Sequence, residues 1–231
     1  HPLNSECINY IAQRSELLMA LCYLLVLYAA QRAATGHRAW QYGAVVACVV
    51  GMTCKESMVT APLVVVFYDR IFLWSSWRAA WVARRFLYTG LLGSWVVLAV
   101  LVAQRPRGDS AGWGLGLSIF DYMLNQAAMV VEYLQRVFWP HPLVLDYGFP
   151  RALDAIAVWP QIGLVSVLLA LSALALWWRP RVGFACLCFF VLLAPTSSVV
   201  PILTEVGAER RMYLPLMLAV LVAVVGARAL W

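Results

Sequence analysis

The chain has 231 residues, of which 64% are hydrophobic and 12% are charged, with a mean hydropathy of +0.80 and a net charge of +6. Soluble domains carry about 25% charged residues, and a soluble globule this apolar could not cover its surface with polar groups. These values exclude a disordered chain, a secreted disulfide scaffold and an ordinary cytosolic enzyme. They indicate a protein whose solvent is the bilayer.

In a soluble protein the positive charge would hint at nucleic acid, but basic residues of a membrane protein collect in cytoplasmic loops. We therefore expect membrane lipids, and no nucleic acid, as partners. The six cysteines lie mostly in apolar stretches and match no zinc or haem spacing, so no metal or other cofactor is expected. Because the chain starts with His1 rather than Met and stops at Trp231 within an apolar run, we expect a piece of a longer polypeptide.

Seven apolar segments are candidates for crossing the membrane, which takes about 17–25 residues, or fewer where the bilayer is locally thin. In chain order they are Leu17–Ala30, Trp40–Cys54, Ser57–Trp74, Phe86–Ala103, Trp159–Leu176, Phe184–Leu203 and Met212–Trp231.

The Lys55-Glu56 pair separates two of these segments. A single helix from Trp40 to Trp74 would bury both charges in mid-bilayer, at a cost of about 2.5–3.5 kcal/mol each. With two short spans, and with His1–Glu16 outside the cytoplasm, the cytoplasmic side holds nine basic residues and only Asp69 among the acidic ones. The positive-inside rule favours this arrangement. The nine are Arg32, Arg38, Arg70, Arg78, Arg84, Arg85, Arg179, Arg181 and Arg228.

Residues 104–158 combine a Gly-rich loop at 108–116 with an amphipathic helix over Asp121–Phe138, which ends at Trp139-Pro140. We place this helix on the non-cytoplasmic surface, partly sunk among other helices; the alternative is that it spans the membrane. Its apolar stripe contains Leu124, Ala127, Ala128, Val131, Leu134 and Phe138, and its polar side contains Asp121, Asn125, Glu132, Gln135 and Arg136. The predicted fold is a single all-α polytopic membrane domain over residues 1–231, with about seven spans.

Many of the remaining charges fall in four short clusters, each with both signs of charge. In the first cluster, Glu6, Tyr10 and Arg14 are spaced to share one helical stripe. The clusters are Glu6, Arg14 and Glu16; Lys55 and Glu56; Glu132 and Arg136, with Asp146 and Tyr147 just beyond; and Glu205 with Glu209, Arg210, Arg211 and Tyr213.

The clusters also have ordinary structural interpretations. Glu132 and Arg136 suit a stabilising i,i+4 pair, and Lys55 with Glu56 would be solvated charges at a helix turn. Arginines before the last span would anchor a helix end to lipid headgroups. The convergence of ionisable residues on one face of a membrane domain favours a functional site.

The residue types in these clusters suit an enzyme that acts on a lipid-linked phosphosugar. A guanidinium binds phosphate through two parallel hydrogen bonds, and a carboxylate can act as a general base towards a hydroxyl. Aromatic side chains can stack on a sugar or line an acyl groove. The aromatic candidates are Trp113, Trp139, Tyr147 and Tyr213.

Four ordered segments at these clusters resemble one family. They are HPLNSECINYIAQRSELLMALCYLL, CKESMVTAPLVVVFYDR, YMLNQAAMVVEYLQRVFWPHPLVLDYGFP and PTSSVVPILTEVGAERRMYLPL. Together they resemble the membrane domain of the transmembrane and tetratricopeptide-repeat O-mannosyltransferases, particularly bacterial relatives. Those proteins are C-type (GT-C) glycosyltransferases that use polyprenyl-phosphate sugar donors, so the resemblance implies a GT-C-like fold over nearly the whole chain.

The family's motif residues carry over to His1, Pro2 and Glu6; Arg14 and Glu16; Lys55 and Glu56; Tyr68 and Asp69; Gln126 and Tyr133; Asp146 and Tyr147; and Glu209, Arg210, Arg211, Tyr213 and Pro215. One departure is Asn125-Gln126, where the family usually has Thr-Gln. The resemblance implies a catalytic acidic residue in a loop upstream of His1, and tetratricopeptide repeats, if any, after Trp231. Related folds can use a divalent metal ion, but no spacing here predicts its ligands.

The expected roles are unequal in weight. Arg210 and Arg211 would hold the donor phosphate and stabilise the leaving polyprenyl phosphate, with Glu209 orienting their guanidinium groups. The supporting residues are Arg14 and Lys55 as additional positive charge, Glu6, Glu16 and Glu56 as the carboxylates that hold these side chains, Asp146 and Tyr147 as sugar or acceptor contacts, and Gln126 and Tyr213.

The leading hypothesis is an integral-membrane glycosyltransferase that moves a sugar, with mannose expected, from a polyprenyl phosphate to a Ser or Thr hydroxyl of an exported protein. We place it in a bacterial inner membrane, with the charged site facing the periplasm. One alternative is a transporter or flippase, which Pro195 and Pro201 within a predicted span would suit, although no internal repeat is found. The other is a non-catalytic scaffold.

Overall fold

A computed structural model of the chain describes residues 1–104, 118–145, 147–196 and 205–230. Over these residues the regular secondary structure is helical, without a β-strand. The α-helices are α1 (Ser5–Asn9), α2 (Arg14–Ala34), α3 (Trp40–Cys54), α4 (Ala61–Tyr68), α5 (Trp77–Gln104), α6 (Ile119–Phe138), α7 (Ala155–Trp178), α8 (Pro180–Ala194) and α9 (Tyr213–Leu230). Short 3-10 helices cover Pro2–Asn4, Ile11–Gln13, Glu56–Thr60 and Glu209–Met212, and a π-helical turn covers Asp69–Leu73.

Four helical segments in the described part of the chain are long and apolar enough to cross a membrane, which indicates a membrane protein. They are Ile11–Ala34, Trp77–Gln104, Ala155–Trp178 and Glu209–Arg228, and α3 and α8 are shorter apolar helices. Only 11% of the apolar window of α7 is buried, so most of that helix requires an apolar solvent. The count of seven spans and the surface position of α6 stay predictions. The predicted span Phe184–Leu203 runs past the end of α8, and its residues 197–203 lie outside the described residues.

The chain forms two compact units. The first unit comprises His1–Ile11 and Arg107–Trp231, and the second comprises Ala12–Pro106. That all 231 residues act as a single domain stays a prediction.

In the second unit, α2 packs against α3, and α3 packs against α5. Lys55 ends α3 with an extended backbone (φ −161°, ψ 145°), which confirms the predicted break between two short helical segments. The 3-10 helix that follows packs onto α3 at Gly51, where a Cβ would lie 2.7 Å from the Met58 Sδ. A larger residue at position 51 would therefore require the Met58 side chain to move.

In the first unit, α6 packs against α7, α7 against α8, and α8 against α9. A cluster of buried side chains from α6, α8, α9 and the segments before α1 and α9 forms its core. Its members are Leu3, Met129, Tyr133, Phe189, Leu193, Val206, Met212 and Leu216.

The helix α6 is confirmed, and it ends before Trp139 as predicted, but its predicted apolar stripe is not the buried face. Phe138 from that stripe is 75% exposed. The buried side chains are Tyr122, Leu124, Asn125, Gln126, Met129, Val130 and Tyr133. Where the surroundings are lipid, a helix can turn apolar side chains outward and polar ones toward protein partners, so the apolar stripe does not identify the packed face.

Candidate functional site

The arginine segment, defined as residues 205–212, directly precedes α9 and is fixed by backbone hydrogen bonds. The Val206 N–H donates to the Gly148 carbonyl (2.7 Å). The Val206 carbonyl accepts from Nε2 of Gln126 (2.8 Å), a buried side chain of α6. The loop before α7 and the helix α6 therefore both hold the start of this segment.

Tyr133 holds the next part of the arginine segment. Its hydroxyl accepts a hydrogen bond from the Ala208 N–H (2.8 Å), and burial raises the pKa of Tyr133 to about 12. A Cβ at Gly207 would lie 3.0 Å from both this hydroxyl and the Met129 Sδ. The segment lies this close to α6 because residue 207 has no side chain.

Arg210 is held by Glu6 through both its side chain and its main chain. Its Nη1 donates to Oε1 of Glu6 (2.7 Å), and its backbone N–H donates to Oε2 (3.0 Å). The side chain of Glu6 is 5% exposed, whereas that of Arg210 is 20% exposed. The two residues are 204 positions apart in the chain, so the contact joins the first and fourth predicted clusters.

Glu205 bridges both arginines, and the sequence analysis gave it no role. Its Oε2 accepts from Nη2 of Arg210, and its Oε1 accepts from Nη2 of Arg211 (3.1 Å). Arg211 also donates to the carbonyls of Glu205 (3.3 Å) and Val206 (3.4 Å), and its side chain is 2% exposed. Arg211 thus holds the backbone of the arginine segment, while the Glu205 side chain keeps 21% of its surface exposed.

The prediction that Glu209 orients the guanidinium groups is wrong. Its Oε1 accepts from the Val144 N–H (2.7 Å) and from the Tyr147 hydroxyl (3.5 Å). Successive side chains of a 3-10 helix project about 120° apart, so Glu209 leaves the helix on a different side from the arginines that follow it. Burial, reinforced by the Glu209 carboxylate, raises the pKa of Tyr147 to about 12, which keeps this hydroxyl a neutral donor.

The prediction of one helical stripe through Glu6, Tyr10 and Arg14 is also wrong. The helix α1 ends at Asn9, and Tyr10 has an extended backbone (φ −96°, ψ 114°). A five-residue helix has few internal hydrogen bonds and depends on tertiary contacts, which here are those of Glu6. Arg14 instead begins α2, in the second unit.

The His1-Pro2 sequence sets the position of Glu6. The Leu3 N–H donates to Nδ1 of His1 (3.3 Å), whose Nε2 lies 3.1 Å from the Val137 carbonyl. Pro2 occupies the first position of the 3-10 helix, where a missing N–H costs nothing. This turn leads directly into α1 and its buried carboxylate.

Asn125, the departure from the family pattern, uses its whole amide. Its Nδ2 donates to the carbonyls of Asp121 (2.7 Å) and Arg151 (2.6 Å), and its Oδ1 accepts from the Arg151 N–H (3.2 Å). A threonine hydroxyl has one hydrogen to donate, so it could not make both donor contacts. The amide therefore ties α6 to the loop before α7.

In the second unit, Lys55 and Glu16 form an ion pair. Glu16 thus contacts one of the cations it was expected to hold, whereas Glu6 contacts Arg210 instead. Glu56 is half-buried at the start of its 3-10 helix. Arg14 is exposed and forms no ion pair with a residue that the structure describes. Phosphate binding by Arg14 and Lys55 stays a prediction.

A buried arginine–carboxylate network in the second unit escaped the sequence analysis. Arg84 Nη1 donates to both carboxylate oxygens of Asp69 (2.6 and 2.7 Å), and its Nη2 donates to the Ala30 carbonyl (2.5 Å). The Tyr88 hydroxyl donates to Oδ2 of Asp69 (2.7 Å). Arg84, which the sequence analysis counted among the cytoplasmic basic residues between two predicted spans, lies buried in α5 at a kink (φ −129°, ψ 19°).

The remaining candidates are placed as follows. Tyr213 is half-buried at the first residue of α9, and Trp139 is exposed just after α6. Asp146 and Trp113 lie outside the described residues. No group of three or more His, Cys, Asp or Glu side chains that could hold a metal ion occurs within the described ranges.

No protein-family model, curated protein or solved structure matches this chain. The site therefore stands on its own geometry, whose most chemically distinctive part is the pair of adjacent guanidinium groups. Arg210 and Arg211 present donors to the two oxygens of one carboxylate, an arrangement that also suits two oxygens of a phosphate.

Proposed function

We propose that this chain is the membrane part of a glycosyltransferase that takes a sugar from a polyprenyl phosphate and transfers it to a Ser or Thr hydroxyl of an exported protein. The observation that carries the proposal is the contact between Glu6 and Arg210 across 204 positions. The family resemblance rests on separate motifs, and this contact joins the first to the last. The GT-C-like fold, the bacterial inner membrane and the periplasmic orientation belong to the same proposal.

Arg210 is the more accessible of the two arginines that meet the donor phosphate. Its side chain is one-fifth exposed and is aimed by the buried Glu6, whereas the Arg211 side chain is 2% exposed and donates to two backbone carbonyls as well as to Glu205. As the bond from the sugar C1 to the phosphate oxygen breaks, negative charge grows on the leaving polyprenyl phosphate. A guanidinium fixed in advance stabilises that charge without reorganisation.

The acceptor hydroxyl forms the new bond to C1 and gives its proton to a base. We assign that base to an acidic residue outside this chain, as the resemblance implies. Within the chain, Tyr147 beside the arginine segment is the proposed contact to the sugar or acceptor, together with Asp146. Gln126, Tyr133 and Glu209 hold the surrounding backbone in place.

The test uses the full-length polypeptide in liposomes, with radiolabelled polyprenyl-phosphate mannose and a Ser/Thr-rich exported peptide. We expect label on the peptide with the wild type, and a loss of about 10²–10³-fold with Arg210→Ala, the size seen when one such donor is removed. Arg151→Ala is the matched control, because the Arg151 side chain is exposed in the same unit. The hydrogen bonds between Arg151 and Asn125 use the Arg151 backbone, which the substitution keeps.

Three results would contradict the proposal in different ways. Donor that crosses the bilayer without transfer indicates a flippase. Full transfer by Arg210→Ala removes the phosphate role of that residue. If a panel of sugar donors gives no transfer and no crossing of the bilayer, the scaffold is the hypothesis that survives.

A further inference from the structure

Both arginines of the arginine segment already have carboxylate partners without any ligand. Arg210 and Arg211 are paired with Glu6 and Glu205. The two carboxylates are held differently, however. Glu6 binds one guanidinium and the backbone N–H of the same residue, while Glu205 spreads its two oxygens over two guanidinium groups.

The arrangement around Glu205 is the one that a phosphate group would adopt. Each carboxylate oxygen accepts from a terminal nitrogen of a different arginine, and two phosphate oxygens offer the same acceptor pair. A phosphate that binds these two arginines must therefore replace the Glu205 carboxylate.

We propose that Glu205 is a built-in competitor for the phosphate of a lipid-linked ligand, an inference that rests on the proposed function. Glu205 occupies the arginines when no ligand is bound, and leaves when a phosphate arrives. It returns when the polyprenyl phosphate product departs, so it favours product release.

Exposure and anchoring identify Glu205, rather than Glu6, as the carboxylate that moves. The Glu205 side chain is 21% exposed and that of Glu6 is 5% exposed. Glu6 also lies in α1 and is tied to a main-chain donor, so its release would disrupt the turn that carries it. Glu205 can rotate about its own side-chain bonds while the backbone bonds of Val206 and Ala208 remain.

The charges favour the exchange for a phosphate monoester, such as the polyprenyl phosphate product or farnesyl phosphate. A monoester carries about −1.5 to −2 at neutral pH, against −1 for a carboxylate, and both guanidinium groups stay charged throughout. The sugar donor is a phosphodiester with a charge of −1, equal to that of the Glu205 carboxylate it replaces. The competitor therefore weakens the binding of phosphate without blocking it.

The experiment measures equilibrium binding of radiolabelled farnesyl phosphate, with no sugar present, to the purified full-length protein in detergent. Glu205→Gln removes the competing charge while keeping the side-chain size, and we expect roughly 10- to 100-fold tighter binding, the equivalent of one charged hydrogen bond. Glu205→Asp, which is one methylene shorter and cannot bridge both arginines, should tighten binding by a smaller factor. This second variant keeps the test informative where the Gln variant folds poorly.

Glu6→Gln separates a competitor from a general charge effect. It removes the same unit of charge from the same guanidinium, but it frees the residue that Glu6 aims, so binding should become weaker. Asp154→Asn is the matched control, because it deletes an exposed carboxylate of the first unit outside the four clusters, keeps an N-cap side chain for α7 and should leave the affinity unchanged. Inorganic phosphate replaces farnesyl phosphate in a parallel arm, where the same ranking at lower affinity indicates a site for phosphate itself rather than for a lipid phosphate.

Opposite effects of the Glu6 and Glu205 variants support the inference. Tighter binding by both variants means simple charge removal, and equal affinity of Glu205→Gln and wild type means no competition; either result overturns it, as does an absence of binding by every variant. Because the assay needs no glycosyl transfer, tighter binding by Glu205→Gln without transfer would remove the proposed function and leave the inference standing. Sugar transfer by the wild type, together with equal affinity of Glu205→Gln and wild type for farnesyl phosphate, would support the proposed function and remove the inference.

Discussion

Each unit contains a cluster of paired arginines and carboxylates, and the two clusters differ in how much of the paired side chains stays exposed. In the second unit, the side chains of Arg84 and Asp69 are 4% and 1% exposed. In the first unit, Arg210 and Glu205 each keep about a fifth of their side-chain surface exposed, at 20% and 21%. Pairing of opposite charges is common to both, so pairing alone does not identify a ligand site. What distinguishes the cluster of Arg210, Arg211, Glu6 and Glu205, here called the open cluster, is the accessible surface that its paired side chains keep.

The cluster of Arg84, Asp69 and Tyr88, here called the closed cluster, makes its hydrogen bonds to groups of the protein itself. Asp69 accepts from Arg84 and from Tyr88, and the second terminal nitrogen of Arg84 goes to the Ala30 carbonyl. These contacts join α2, the π-helical turn and the kink of α5. We interpret this cluster as structural, because a ligand would have to break bonds that no exposed group replaces.

The largest effect on stability that we expect comes from removing the cation of the closed cluster. Arg84→Ala leaves the Asp69 carboxylate buried without its cation, which costs about 3–5 kcal/mol of unfolding free energy. Thermal unfolding in detergent measures it, and Arg85→Ala is the matched control, since that neighbour is exposed. Equal stability of the two variants would contradict the structural interpretation.

An intermediate effect is expected beneath the open cluster. Tyr133→Phe removes the acceptor of the buried Ala208 N–H, at a cost of about 1–3 kcal/mol, and loosens the arginine segment. The same unfolding measurement applies, with Tyr10→Phe as the control because that side chain is exposed. If Tyr133→Phe were as stable as the control, α6 would not hold the segment through this hydroxyl.

The smallest effect belongs to an ion pair between two half-buried side chains of α6. The i,i+4 pair Glu132–Arg136 is confirmed (2.5 Å), and such pairs contribute about 0.2–0.5 kcal/mol. A double-mutant cycle with Glu132→Gln and Arg136→Gln should give this coupling at low salt and lose it at high salt. A coupling above 1 kcal/mol would place this pair with the closed clusters.

The sequence could predict local features and not distant partners. Apolar runs indicated the helices, the charges at Lys55-Glu56 indicated the break after α3, and Trp139-Pro140 indicated the end of α6. Each of these signals acts within a few residues of the feature it predicts. Hydrophobic length also indicated the membrane class, because the bilayer is a solvent that every span meets in the same way.

The partners of the charged residues could not be predicted from spacing. Glu205 is five positions from Arg210, and Glu209 is its immediate neighbour, yet the distant residue makes the ion pair because 3-10 geometry turns the near one away. Arg84 looked like a loop charge because nothing nearby in sequence reveals Asp69 on another helix. The one available signal was the acidic Asp69 within the predicted span Ser57–Trp74.

The contact between Glu6 and Arg210 also fixes an order of events during synthesis. The two residues are 204 positions apart, so at about 5–20 residues per second a ribosome makes the arginine roughly 10 to 40 s after the carboxylate. Throughout that interval Glu6 has no cation from the arginine segment, and a chain released early, before residue 210, never acquires the pair. The insertion machinery must therefore keep Glu6 accessible until the arginine segment is made.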